Sequence, residues 1–230
     1  MPLPDVERVL YRINPLEQVI CQLRYPTNLR IGAESPVDFQ KRIRHLFPFY
    51  RTQSVLSPLP DEIAKNLPPE LSALFAPQSA GIQHVFSTEG DTWVATLTRD
   101  FIALTTPNYE KWEQFRDYLQ PLLDAVLLIY EIPFFIRIGL RYQNIIRRSK
   151  LKLGKQTWNK LLSPNILGEL ASKSVSSDVE GCTHQIVIGL DEHQSKVKMQ
   201  HGLVIDQSQR NNEICYLIDN DFFTTSRMEY

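Results

Sequence analysis

The side chains with chemistry to offer in this chain fall into separate groups. Arg24 lies in CQLRYP, and Arg137, Arg141 and Gln143 lie in RIGLRYQNII. Asp219 and Asp221 stand two apart in YLIDNDFF, while Arg147, Arg148, Lys150, Lys152 and Lys155 crowd into RRSKLKLGK. A guanidinium is a planar fork of donors that matches phosphate or carboxylate. Arg24, Arg141 and Gln143 on one polar surface would therefore suit an anionic ligand. The same arginines beside Asp219 and Asp221 would instead lace a sheet face with ion pairs, each contributing about 0–1 kcal/mol at the surface. Both readings stand at the level of sequence. Asp219 and Asp221 also have the chemistry for a metal or acid–base pair, but no third ligand accompanies them. The basic run would follow a nucleic-acid backbone, where each neutralised phosphate adds salt-dependent affinity, or form a solvated loop.

Enzyme signatures are otherwise lacking. There is no glycine-rich phosphate loop, no GxSxG elbow and no HExxH in a chain with only 9 glycines. His184, His193 and His201 follow no common ligand spacing, and Cys182 after Gly181 has no identifiable base beside it. The expectation is no catalytic residue, no metal and no cofactor. Cys21, Cys182 and Cys215 are odd in number and far apart, which argues against a disulfide framework and for a reducing, cytoplasmic setting. With 25 Lys and Arg against 26 Asp and Glu, no global field draws the chain to nucleic acid or an anionic membrane. No apolar run reaches the ~18 residues of a membrane span.

These side chains need strands to position them. After Pro15, NPLEQVICQLRYP alternates, with Val19, Cys21, Leu23 and Tyr25 on one side and Gln18, Ile20, Gln22 and Arg24 on the other. Ser35 and Pro36 open a helix over 36–47, with the serine as its cap. The stretch from Pro48 to Pro77, broken by Pro58, Pro60, Pro68 and Pro69, reads as an irregular connection with a short helical turn near PPELSALFA. Three strands follow across 82–106, reversing at EGD and at Asp100. Trp112, Phe115, Leu119, Leu122 and Val126 recur at helical spacing, predicting a long helix over 109–130 that contains Pro121. The second half repeats the order: strand 134–146, a helix within KQTWNKLLSPNILGELAS, a hairpin in HQIVIGLDEHQSKVKMQHGLVI, and the strand NEICYLIDNDFFTT.

The recurrence extends to residues. CQLRYPTNL and IGLRYQNII align Arg24 with Arg141, and LTRDFIALTT and LIDNDFFTT align Asp100 with Asp221. The expected fold is a single α+β domain over 1–230: a curved antiparallel sheet with helices on one face. It consists of two duplicated β-α-β-β-β(-α) halves, 14–131 and 132–230, the last helix missing. TATA-binding-protein and helix-grip architectures are comparable layouts, an analogy that carries no function.

The Asn-Pro start of the first strand, the mid-chain Arg-Tyr-x-Asn of Arg141–Asn144 and the late Asp-x-Asp of Asp219–Asp221 resemble a sporadically distributed family of uncharacterised bacterial proteins. The resemblance implies a shared fold and a mobile-element or defence context, and supplies no activity. It also implies a C-terminal helix past the Asp-x-Asp strand, where this sequence stops at Tyr230. The leading expectation is a non-enzymatic binding or regulatory protein with an unknown protein partner or a second copy of itself. The alternatives are nucleic-acid binding through the basic run and the sheet arginines, and a metal-dependent hydrolase or nuclease using Asp219 and Asp221.

Overall fold

Period-two alternation builds most of this molecule. The computed structural model describes residues 7, 9–11, 13–54, 81–154, 156–172, 174–190, 194–206 and 212–229. In the first half these form β1 (Leu16–Arg24), α1 (Arg30–Ala33), α2 (Val37–Ile43), β2 (Phe49–Ser54), β3 (Ile82–Ser87), β4 (Val94–Leu97), β5 (Phe101–Thr106) and α3 (Trp112–Tyr130). The second half supplies β6 (Arg137–Ile146), α4 (Trp158–Leu161), α5 (Pro164–Leu167), a 3-10 turn (Gly168–Ala171), β7 (Thr183–Gly189), β8 (Lys196–Asp206) and β9 (Glu213–Thr224).

All nine strands join one sheet in the order β2-β3-β4-β5-β1-β6-β9-β8-β7, and every pairing is antiparallel. The opening strands of the two halves, β1 and β6, pair at the centre with Gln22 opposite Gly139. Outward from that pair the halves run in the same sequence, so β5, β4 and β3 have β9, β8 and β7 as counterparts. β2 covers the outer edge of β3, while β7 ends the sheet.

The helices lie on one face. Val19, Cys21 and Leu23 of β1 stand opposite Tyr142, Leu140 and Ile138 of β6, and α2 and α3 close over these rows with Phe39, Ile43, Phe115, Leu122 and Val126, all buried. Burying each such side chain contributes about 1.5–3 kcal/mol. Leu167 and Leu170 from the second-half helices pack on Tyr216, Ile218 and Ile146 of the same face. Among the described residues no helix is long and apolar enough to cross a membrane.

Some expectations change. Phe49–Ser54 is a strand, although its neighbourhood read as an irregular connection; Pro48 precedes it and leaves its N–H groups intact for β3. The helical turn near PPELSALFA falls outside the described residues. α2 starts at Val37 with Pro36 in the N-cap position, and Ser35 makes no side-chain cap. The second-half helix splits at Leu162, which turns extended before Pro164 begins α5. The alignment of Asp100 with Asp221 is one residue out of step with that of Arg24 with Arg141. Arg24 faces Phe101 across β1 and β5, whereas Arg141 faces Asp221 across β6 and β9. Asp100 sits in the β4–β5 turn, where its N–H donates to the Thr98 hydroxyl at 3.2 Å.

Candidate functional site

β6 and β9 place their charges on the face without helices. On β6 the alternation that turns Leu140 and Tyr142 into the core turns Arg137, Gly139, Arg141 and Gln143 the other way. On β9 it does the same for Asp219 and Asp221, because Asp219 pairs with Gln143 and Asp221 with Arg141.

The side chains do not bond straight across. Arg141 leans one position along the strand and grips Asp219, its Nε donating to Oδ1 at 2.8 Å and its second nitrogen reaching Oδ2. Gln143 adds a contact from Nε2 to Asp219 Oδ2 at 3.5 Å. Arg137 reaches further, crossing the Phe223 ring at 5.0 Å to donate to Asp221 Oδ2 at 2.7 Å. Gly139 makes this path possible, since a Cβ there would stand 2.3 Å from the Arg137 guanidinium. Asp219, Gln143 and Gln200 are all buried although no described helix covers them. Gln200 stands opposite Asp219 on β8, and its Oε1 accepts no hydrogen bond from the described residues.

The structure therefore groups Arg141, Gln143 and Asp219, with Arg137 and Asp221 alongside. Arg24 shares the face but is opposite Arg137, while Arg141 is opposite Ile20. Four residues of strand separate those two positions, about 13 Å. The fork of Arg141 is filled by Asp219, so Arg24, Arg141 and Gln143 do not form one open anion cradle.

Much of the basic segment is also internally paired. Arg147 donates to Asp206 at 2.5 Å and pairs with Glu17. Burial opposes its charge, but the Asp206 hydrogen bond and the two carboxylates hold its pKa above the ordinary value. Lys150 reaches Glu17 at 3.2 Å, and Arg148 stacks on Trp158 at 4.5 Å. Lys152 is exposed at φ 57, and Lys155 lies outside the described residues.

Two groupings had no signal in residue spacing alone. Register pairs His184 with His201, whose rings stack at 5.1 Å. The Tyr216 hydroxyl donates to Ile166 O at 2.9 Å, so it accepts from His201 Nδ1 at 2.9 Å, which fixes the imidazole tautomer. On the helix-bearing face a cleft of about 820 Å³ opens between the segment before β1, the approach to α3, and β6 and β9. Asn144 and Asn220 interrupt the apolar rows of those strands beside it. Burial pushes the Cys215 thiol up to about 11 and Cys21 to about 12, leaving neither ready as a thiolate. Among the described residues no group of three or more His, Cys, Asp and Glu is placed to hold a metal ion. A scan against protein-family models and a search of curated proteins gave no match to this sequence.

Proposed function

We propose that this protein is a non-enzymatic binding module that takes a protein partner along the edge of β7 and the adjoining helix-free sheet face. The observation that carries this reading is the edge itself. β3 has its outer hydrogen-bonding edge covered by β2, but among the described residues its counterpart β7 has only β8 beside it and exposes Ile186 and Val187. A free strand edge offers a row of backbone donors and acceptors to an extended partner segment. The neighbouring face supports the same reading, because the Arg137–Asp221 and Arg141–Asp219 pairs make it a polar surface. A partner strand of this kind could come from another protein or from a second copy of the chain. The mirrored strand order and the matched Arg24 and Arg141 support an origin of the two halves by duplication.

A hydrolase using Asp219 and Asp221 is less well supported. Asp219 accepts from Arg141 and Gln143, and Asp221 accepts from Arg137, so both carboxylates already serve the sheet. Nucleic-acid binding rests on exposed Lys150 and Lys152, while Glu17 offsets Arg147 and Lys150. The mobile-element or defence context suggests where partners should be sought: among the products of neighbouring genes. The test is affinity capture of those products by the wild type, by Val187→Lys on the open edge, by Lys198→Glu on the helix-free face and by Arg116→Glu on α3. Retention by the wild type and Arg116→Glu, with loss in Val187→Lys, is the expected result. Retention by all three variants would remove the edge reading. Salt-sensitive binding of labelled RNA or DNA, lost in Lys150→Glu with Lys152→Glu, would favour nucleic acid instead.

A further inference from the structure

The cleft on the helix-bearing face breaks the pattern that builds the rest of that face. Residues of β6 and β9 that turn toward the helices are Ile138, Leu140, Tyr142 and Ile146 on one strand and Tyr216, Ile218 and Phe222 on the other. Asn144 and Asn220 occupy the same rows, and both line the cleft. A polar residue at a core-facing strand position costs stability unless it is satisfied, so local breaks of pattern tend to mark function. Asn144 stands opposite Ile218, and Asn220 lies two residues further along β9. The two carboxamides are thus diagonal neighbours on adjacent strands, with Cα atoms about 7–8 Å apart.

Their hydrogen bonding is incomplete. Asn144 donates from Nδ2 to Ile218 O at 3.3 Å, which leaves its Oδ1 as an acceptor. The Asn220 carboxamide makes no hydrogen bond with the described residues, and it is only partly exposed. At the mouth Asn14 accepts from Leu16 N at 3.1 Å, and its amide makes no hydrogen bond to the described residues. Aromatic rings stand between these amides. Tyr142 meets Tyr109 edge-on at 5.6 Å and Phe222 edge-on at 6.3 Å, so its orientation is fixed from both sides. Burial, followed by the hydrogen bond with Tyr109, holds the Tyr142 phenol well above its ordinary pKa, so it remains a neutral hydroxyl.

Charge narrows the ligand class. Among the described residues Glu110 is the only charged one lining the cleft. An anion would meet that carboxylate. The volume of about 820 Å³ lies within the range of small-molecule sites. Paired amide donors and acceptors bracketing aromatic rings suit a flat ligand that carries both kinds of group on its edge.

We propose that this cleft binds an uncharged heteroaromatic molecule of the nucleobase or nucleoside class, without phosphate. The site is independent of the β7 edge and stands or falls separately from the partner reading. The test is titration calorimetry on the full chain with adenosine, guanosine, cytidine and uridine, their 5′-monophosphates, and a methyl pyranoside that offers hydroxyls without a flat ring. At least one nucleoside should bind, and its monophosphate should bind about tenfold or more weakly, as expected when an anion faces the Glu110 carboxylate. Asn220→Leu should weaken the nucleoside about tenfold, the loss of one good hydrogen bond. Its melting temperature should stay level or rise, because leucine suits the apolar row. The proposal is overturned if no nucleoside binds at millimolar concentration, if monophosphates or the pyranoside bind as tightly, or if binding survives Asn220→Leu. A lower melting temperature in that variant, without loss of binding, would make Asn220 structural and also contradict the proposal.

Discussion

The two halves share a strand order but use it differently. In the first, α2 and α3 cover β1, β4 and β5 with a dense aromatic core: Phe39 meets Phe86 at 5.3 Å, and Trp93 stacks on Tyr118 at 4.2 Å. In the second, short helices cover the sheet with Leu167 and Leu170, and His201, Asn144 and Asn220 interrupt the apolar face. The first half adds β2 beyond β3 as the end strand of the sheet, and the second ends at β7. The same topology has thus been given a packing half and a half with more polar and open surface, where a binding role is easiest to accommodate.

Truncation should expose that contrast most strongly. Phe115→Ala empties a fully enclosed site and should cost about 3–5 kcal/mol, whereas Leu167→Ala in the smaller cluster should cost about 2–3 kcal/mol, both read from urea denaturation midpoints. Equal losses would mean that the halves are packed alike.

The ion pairs rank next. Asp219→Ala leaves the Arg141 guanidinium without its carboxylate. A fully buried orphan charge costs about 3–5 kcal/mol; with the Arg141 side chain still 20% exposed, a loss of about 2 kcal/mol is expected. Asp221→Ala should cost about half as much, since both partners of its pair are more accessible to water. The reverse order would contradict the geometry. Gly139→Ala sharpens the point: its methyl displaces Arg137 from above the strand, so the effect of Asp221→Ala should nearly vanish in that background, as a double-mutant cycle would show.

The pH response should be smaller and confined to the second half. His201 has its pKa lowered from 6.5 by burial and then by neighbouring His184. The unfolded chain therefore binds more protons than the folded one as pH falls through that value, and stability declines. The melting temperature should drop between pH 7 and about 5.5, with a shallower slope in His201→Asn. Identical slopes would exclude this residue as a source.

The sheet was legible from sequence because alternation declares its two faces, and Arg24, Arg137, Arg141, Asp219 and Asp221 could be assigned to one of them. Their actual partners were not, since arginines lean along a strand, and cross-strand register alone would have paired Arg141 with Asp221. β2 escaped notice because proline density around it outweighed a short polar strand, FYRTQS, whose pairing with β3 is long-range. The histidine pair and the asparagine cleft depend on register between β7, β8 and β9 or between β6 and β9, which residue spacing does not encode.

The most direct test of the binding account is hydrogen–deuterium exchange on the full chain, alone and with a product of a neighbouring gene that it retains. The account predicts new protection of backbone amides in Thr183–Gly189, with α3 unchanged. Protection confined to α2 and α3, or a bound partner that leaves Thr183–Gly189 exchanging as before, would contradict it.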